Sequence, residues 1–95
     1  MSIKDLQNKL SPIFKQYGVK HAAIFGSVSR GEDTPESDVD VLVKLGKPMG
    51  LVGFSGLVIK MEEILGRKVD LLAEGGVNKF LEPYILPDLK TIYEE

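Results

Sequence analysis

Cysteine is absent from the 95-residue sequence, and long hydrophobic runs are absent as well. Without cysteine, the chain cannot form a disulfide scaffold, a Cys-ligated zinc site or a thiol nucleophile. The most apolar stretch, residues 51–59, contains two glycines and is too short to span a bilayer. The N-terminus carries charges where a signal peptide needs an apolar segment. We therefore expect a cytoplasmic protein with no membrane partner.

An excess of positive charge is also lacking. Twelve Lys and Arg residues stand against fourteen Asp and Glu residues, which gives a net charge of −2. Duplex-DNA binders gain affinity from clustered cations, so a nucleic-acid partner is not expected. Apolar residues make up 43% and charged residues 27%, which is typical of a soluble globular protein. The length predicts one domain, residues 1–95, with a modest core.

The N-terminal region predicts two short helices. Apolar residues recur at three- and four-residue spacing from Ile3 to Tyr17, as on one face of a helix. Pro12 lies inside this pattern, where it would remove a hydrogen bond and clash with the preceding turn. We therefore expect one helix to end near Leu10, and a second to begin with Ser11 as its cap and to end at Gly18.

The rest of the chain predicts strands that alternate with helices. Residues 19–25, 39–43 and 69–72 are strand-like, and Leu51, Phe54, Val58, Met61 and Leu65 mark a helix that ends at Gly66. A Gly75-Gly76 turn follows, Pro83 and Pro87 exclude a long helix, and residues 91–93 suggest a final extended piece. This order predicts an α/β (α+β) fold, a small mixed sheet with helices packed on one face.

Two aspartates mark the first candidate site. Asp38 and Asp40 are two residues apart on a predicted strand, so their side chains leave the same face about 7 Å apart. Paired carboxylates repel each other unless a cation lies between them, and hard oxygen ligands suit Mg²⁺. Among apolar valines, such a pair indicates a bound ligand rather than a solvated surface. Three other acids of this region, Glu32, Asp33 and Glu36, are expected to be solvated.

A glycine-serine turn forms the second candidate site. Gly26 and Ser27 follow the first predicted strand, where backbone N–H groups at a helical turn can bind an anion. Arg30, one turn later, can bind the same anion through its planar fork. Residues 26–31 match half of a P-loop, but Glu32 and Asp33 occupy the Lys and Ser/Thr positions, which excludes that motif. Taken alone, the turn is also compatible with an ordinary loop.

Asp70 is the third candidate acid. It interrupts an apolar strand, where an isolated carboxylate is costly to bury. If this strand lies beside the strand of Asp38 and Asp40, three carboxylates meet in an arrangement suited to two metal ions and a triphosphate. Strand order cannot be derived from the sequence, so an ordinary structural role for Asp70 stays open.

These residues resemble a known family. Gly26-Ser27, ten residues, then Asp38-Val39-Asp40 is similar to the signature of polymerase-β-like nucleotidyltransferases. The longer string, residues 25–43, resembles the minimal nucleotidyltransferase (MNT) proteins, which are MntA-type antitoxins. Residues 67–72 resemble the third-acid segment of that family. Ser29 departs from the pattern, since the family usually has Ala there.

The resemblance implies a site and an activity. Gly26, Ser27 and Arg30 would bind the phosphates of ATP. Asp38 and Asp40 would ligate two Mg²⁺ ions, and Asp70 the ion that activates the acceptor. Members of the family pair with helical HEPN-type toxins and transfer AMP from ATP to a toxin tyrosine. A catalytically idle antitoxin that only covers its partner is the alternative, and a nucleotide sensor is a third interpretation.

The acceptor must then come from another polypeptide. Only twenty-five residues follow Asp70, and two prolines divide them, so they cannot form a helical domain. Val52 and Ile59 lie off the apolar stripe of the predicted helix and, with residues 84–93, are the expected contact surface. His21, the only histidine, has no partner that suggests a triad or a zinc site, and we expect it to be structural.

Overall fold

A computed structural model describes residues 2–74 and 86–95 of the chain. Within these residues the chain forms three α-helices, four strands and one 3₁₀ turn. In chain order they are α1 (Ile3–Gln16), β1 (Val19–Phe25), α2 (Gly26–Arg30), β2 (Val39–Leu45), α3 (Leu51–Leu65), β3 (Val69–Ala73), the 3₁₀ turn (Leu86–Asp88) and β4 (Lys90–Glu94).

The strands form a mixed sheet in the order β3-β2-β1-β4. β1 is central and pairs antiparallel with both β2 and β4. β2 pairs with β3 in parallel, so the chain must cross over between them, and α3 makes this crossover. The predicted fold class is confirmed, as is the extended piece at residues 91–93, which lies in β4.

The core lies on one face of the sheet. Val39, Val41 and Val43 of β2 are fully buried on this face, as the two-residue period of a strand predicts. The same cluster contains the buried side chains of both long helices, so α1 and α3 cover this face. These helix residues are Leu6, Leu10, Ile13, Phe14, Leu57, Met61 and Leu65.

The predicted break in the first helix is wrong. α1 is one continuous helix from Ile3 to Gln16, with Pro12 inside it. Pro12 is exposed, so the carbonyl that loses its N–H partner lies on the solvent side, where water can satisfy it. The Ser11 hydroxyl, expected to cap a second helix, instead donates to the carbonyl of Gln7. Burial of the apolar face therefore outweighs the local cost of the proline.

Helix α3 has the predicted bounds, but its buried face is different. It ends at Gly66, which adopts a left-handed conformation, as expected. Leu51, one of the residues of the apolar stripe that we expect to pack in the core, is 81% exposed, whereas Leu57, which is not in that stripe, is fully buried. Val52 and Ile59 are exposed, 88% and 55%, as predicted. The helix therefore carries apolar residues on its outer side as well.

Several sequence predictions lie outside the described residues. These are the Gly75-Gly76 turn, Pro83 and residues 84–85 of the expected contact surface. Pro87 lies in the 3₁₀ turn before β4. No helix in the described ranges, 2–74 and 86–95, is long and apolar enough to cross a membrane.

Candidate active site

The sheet register brings the three predicted sequence motifs into one row. Phe25, the last residue of β1, is opposite Asp40 of β2, and Asp40 is opposite Asp70 of β3. Neighbouring strands lie about 5 Å apart, so the glycine-serine turn after Phe25 and the two aspartates are close together. Asp40 and Val41 point to opposite faces of the sheet, so Asp40 lies on the face opposite the buried valines.

The three candidate acids differ in exposure. Asp38 is exposed and immediately precedes β2, which begins at Val39. The prediction that Asp38 lies within the strand is therefore wrong. Asp70 is exposed and Asp40 is half-buried. Burial raises the pKa of Asp40, the negative charges of Asp70 and Asp38 raise it further, and Arg30 acts in the opposite direction. The acids therefore repel one another electrostatically, as the sequence predicts.

The donor set suits a hard divalent cation. Three carboxylates supply the oxygen ligands that Mg²⁺ prefers, and a cation would relieve the repulsion at Asp40. In residues 2–74 and 86–95, no three acidic or histidine side chains are gathered closely enough to hold a metal ion. The chemistry of the side chains thus fits a cation, whereas their present spacing does not form a ligand set.

Gly26 fits this site because it lacks a side chain. Its φ of +74° is in the left-handed region, which favours glycine. A Cβ on Gly26 would overlap Asp40 Oδ2 and lie 3.2 Å from Asp40 Cγ. The turn that begins α2 therefore packs directly against the carboxylate of Asp40. α2 ends at Arg30 and is capped by Gly31, and the Glu32 N–H donates to the carbonyl of Ser27 at 2.9 Å.

Arg30 lies at the end of α2 between two carboxylates. Its Nη1 donates to Asp88 Oδ2 at 2.6 Å, and its Nε donates to Glu32 Oε2 at 3.2 Å. Sequence reasoning found Arg30 but missed Asp88. Asp88 is 58 residues away in the sequence and belongs to no motif, so no local pattern could have identified it.

Asp33, predicted to be solvated, is instead part of a buried ion pair. Arg67 Nη1 donates to Asp33 Oδ2 at 2.9 Å, and their side chains are only 13% and 8% exposed. The hydrogen bond from Arg67 is the main reason why the pKa of Asp33 lies below its ordinary value. Arg67 lies two residues before β3, the strand of Asp70, so this pair connects the loop before β2 to the segment that leads into β3.

Two further hydrogen bonds fix the start of β3. The Val69 N–H donates to Glu62 Oε2 of α3 at 2.9 Å, and the Val39 N–H donates to the carbonyl of Lys68 at 2.9 Å. Both contacts are next to the strands that carry Asp40 and Asp70. The relative position of the two acids is thus determined by side chains as well as by the sheet ladder.

Comparison with known protein families shows the family to which the chain belongs. The model of the nucleotidyltransferase domain matches residues 7–94, nearly the whole chain. The chain belongs to the nucleotidyltransferase family. The resemblance found in the sequence is thereby confirmed, and this nucleotidyltransferase is an enzyme of that class.

Two archaeal proteins are similar to this nucleotidyltransferase along most of their length. A Methanocaldococcus jannaschii protein, whose name places it among the protein adenylyltransferases, is 38% identical over 86 residues, covering 90% of this chain and 92% of its own. The protein adenylyltransferase MntA of Thermococcus cleftensis is 32% identical over 75 residues, covering 79% of this chain and 76% of its own.

Solved structures share the fold of the nucleotidyltransferase. A toxin–antitoxin crystal structure with AMP-PNP has a chain that superposes with a TM-score of 0.81 at 21% identity, covering 94% of this chain and 73% of that chain. A complex of MNT antitoxin with tri-AMPylated HEPN toxin from Shewanella oneidensis gives a TM-score of 0.75 at 18% identity, covering 99% and 74%. At these identities the likeness establishes the fold.

Proposed function

We propose that this nucleotidyltransferase transfers AMP from ATP to a hydroxyl group of a HEPN-type toxin and thereby acts as the antitoxin. The observation that carries the proposal is the close contact between Gly26 and Asp40, with Asp70 as the neighbour of Asp40 in the sheet. A turn suited to phosphate binding thus adjoins two acids. The adenylyltransferase names of the relatives and the AMPylated toxin of one structural neighbour support the proposal.

The proposed roles are those that the family resemblance implies, and the positions of the residues support them. Gly26 and Ser27, at the turn beside Asp40, bind the phosphates of ATP, and Arg30 binds the β- and γ-phosphates from the end of the same turn. The acceptor oxygen forms a bond to the α-phosphorus while the bond from that phosphorus to the bridging oxygen breaks. Pyrophosphate leaves, and the hydroxyl proton passes to solvent.

Two Mg²⁺ ions are part of the proposal. Asp38, Asp40 and Asp70 would hold them, with Asp70 serving the ion on the acceptor side. When bound, the ions neutralise the triphosphate and the acids and lower the pKa of the acceptor hydroxyl. A cation would relieve the repulsion that the carboxylate of Asp40 experiences from both other acids.

The acceptor is proposed to be a tyrosine of the toxin. Residues 90–94 form β4 and belong to the same sheet as Asp70. In this proposal a partner presents the hydroxyl near the exposed carboxylate of Asp70. The structural neighbours solved in complex with a toxin support a toxin as the partner.

A mass measurement tests the proposed function. The chain is incubated with its co-expressed toxin, Mg²⁺ and ATP, and the intact mass of the toxin is recorded. We expect mass added in multiples of AMP, located on tyrosine by peptide mapping. Asp38→Asn and Asp40→Asn should each lower the rate at least about a hundredfold. Neither should unfold the protein, because each removes a repulsive charge.

The matched control is Glu36→Gln, an exposed acid in the loop before Asp38, which should keep wild-type activity. An unmodified toxin in a stable complex would instead support the idle antitoxin that acts by covering its partner. Binding of ATP with neither transfer nor complex formation would support the nucleotide sensor. Wild-type activity in either Asp variant would show that the site is assigned incorrectly.

A further inference from the structure

Two of the three nitrogens of the Arg30 guanidinium have carboxylate partners. Nε faces Glu32 at 3.2 Å and Nη1 faces Asp88 at 2.6 Å, so the plane of the group is fixed by two carboxylates. Nη2 has no hydrogen-bond partner among the residues that the structure describes. A planar group fixed at two corners presents its third corner in one direction. The free corner carries two N–H donors.

Of the two carboxylates, that of Asp88 holds Arg30 more firmly. Its side chain is 20% exposed, whereas that of Glu32 is 66% exposed and its hydrogen bond is longer. The hydrogen bond to Asp88 is also the main reason why the pKa of Arg30 is raised, and the bond to Glu32 adds to it. Exposed ion pairs contribute little, so Glu32 is the weaker support.

The segment that carries Asp88 is itself fastened to α2. The buried hydroxyl of Ser29 donates to the main-chain carbonyl of Asp88, and Lys90 Nζ donates to the main-chain carbonyl of Ser29 at 2.6 Å. Ser29 thus bonds to residues on both sides of Leu89. These two contacts and the Arg30 ion pair join the start of β4 to the end of α2. Asp88 therefore has a fixed position relative to Arg30.

We propose that Asp88 is a positioning residue that orients Arg30, so that its free Nη2 is available to the terminal phosphates of ATP. The inference rests on the proposed function, in which Arg30 binds these phosphates. A free arginine side chain loses substantial rotamer entropy when it binds a ligand, and an arginine already held by Asp88 loses less. Arg30 is the last residue of α2, and Gly26, the first residue of the same short helix, packs against the carboxylate of Asp40.

Nucleotide affinity tests the inference without any acceptor. Binding of AMP-PNP and of AMP, each with Mg²⁺, is measured by calorimetry for the wild type and for Asp88→Asn. We expect the Kd of AMP-PNP to rise about tenfold in Asp88→Asn, the usual effect of losing a hydrogen-bond partner that orients a binding group. The Kd of AMP should not change, because AMP lacks the terminal phosphates. Asp88→Glu, which keeps the charge, should restore most of the affinity.

Asp88→Asn should still fold, because Ser29 binds the main chain of residue 88 rather than its side chain. Asp88→Ser is a second, smaller variant with the same expected loss. The control is Glu94→Gln, an exposed acid of β4 opposite His21, which should bind AMP-PNP like the wild type.

A double-mutant cycle separates positioning from a general structural role. In an Arg30→Met background, Asp88→Asn should cause no further loss, since the side chain that it orients is gone. If the two losses multiply, or if Asp88→Asn binds AMP-PNP normally, the inference is wrong and the proposed function stands. If the wild type fails to bind AMP-PNP, the proposed function fails, and the inference fails with it.

Discussion

At the scale of single residues, the site depends on an atom that is missing. Gly26 has no Cβ, and the space that a Cβ would fill is occupied by the carboxylate of Asp40. Gly66 also has a positive φ, +66°, but a Cβ there would meet nothing within 4 Å. Both positions therefore require a residue that tolerates a positive φ, and only position 26 also requires a residue without a Cβ.

This difference gives a prediction. Gly66→Ala should lower the free energy of unfolding by about 1–3 kcal/mol, the usual cost of a left-handed non-glycine residue. Gly26→Ala carries the same backbone cost and in addition displaces the carboxylate of Asp40. We therefore expect Gly26→Ala to lose at least about a hundredfold in AMP transfer, while Gly66→Ala keeps its activity. Urea denaturation and the transfer assay measure the two effects. Equal activity losses in the two variants would contradict the steric argument.

At the scale of elements, the ion pair of Asp33 and Arg67 joins two segments that the sheet alone does not join. The loop before β2 and Arg67, two residues before β3, meet through this largely buried pair. Each segment leads into a strand that carries a candidate acid. The pair therefore helps to fix the positions at which β2 and β3 begin relative to each other. Breaking one member of such a pair leaves the other charge unpaired, which is more costly than losing an exposed ion pair.

The pair predicts a particular dependence of stability on pH. Arg67 lowers the pKa of Asp33 in the folded state, while in the unfolded chain the pKa returns to about 3.9. The stabilisation is therefore complete above about pH 4 and is lost as the pH falls through the lower, folded-state pKa. Asp33→Asn should lower the Tm near neutral pH, and its Tm should converge with that of the wild type in strong acid.

Thermal unfolding between about pH 2 and 7 measures this effect. Glu36→Gln, which changes an exposed acid of the same loop, is the control and should follow the wild-type curve. A constant difference between Asp33→Asn and the wild type at every pH would mean that the ionised carboxylate of Asp33 is not what stabilises the loop.

At the scale of the whole molecule, local patterns predicted the elements and missed several contacts between them. β1, β2, β3 and α3 follow from periodicity and glycine positions, and the motif residues Gly26, Asp40 and Asp70 are close together as the resemblance implied. The local cost of Pro12 predicts two helices, whereas α1 is continuous because its apolar face is buried along its length. Asp33 and Asp88 have partners 34 and 58 residues away, which no local pattern encodes.

The outer side of α3 is the surface on which we expect the partner to bind. Val52 and Ile59 are exposed and, seven residues apart, lie on one side of the helix. Val52→Ser combined with Ile59→Ser should weaken the complex with the toxin about tenfold or more, because apolar contacts at the centre of an interface dominate its affinity. Unfolding of the isolated chain should change by less than about 0.5 kcal/mol per site.

Ile64→Ser is the control for this surface. Ile64 is 44% exposed on the same helix but lies more than 90° away around its axis. The control should bind the toxin like the wild type, as measured by titration of the purified components. Equal weakening by both variants would assign the effect to the helix as a whole, and no weakening by the double variant would place the interface elsewhere.

The position of β4 has a consequence for the order of folding. β4 pairs with β1, about 70 residues earlier in the sequence, and the residues just before it hold the end of α2. Contacts at such a separation form late, because a long loop must close first. A ribosome-bound chain that has exposed β1, β2 and β3 already contains every residue of the nucleotide-binding motif, yet Arg30 has no Asp88 to orient it. We expect a chain that has not yet docked residues 86–94 to bind ATP more weakly than the complete protein, because Asp88 is not yet in place to orient Arg30.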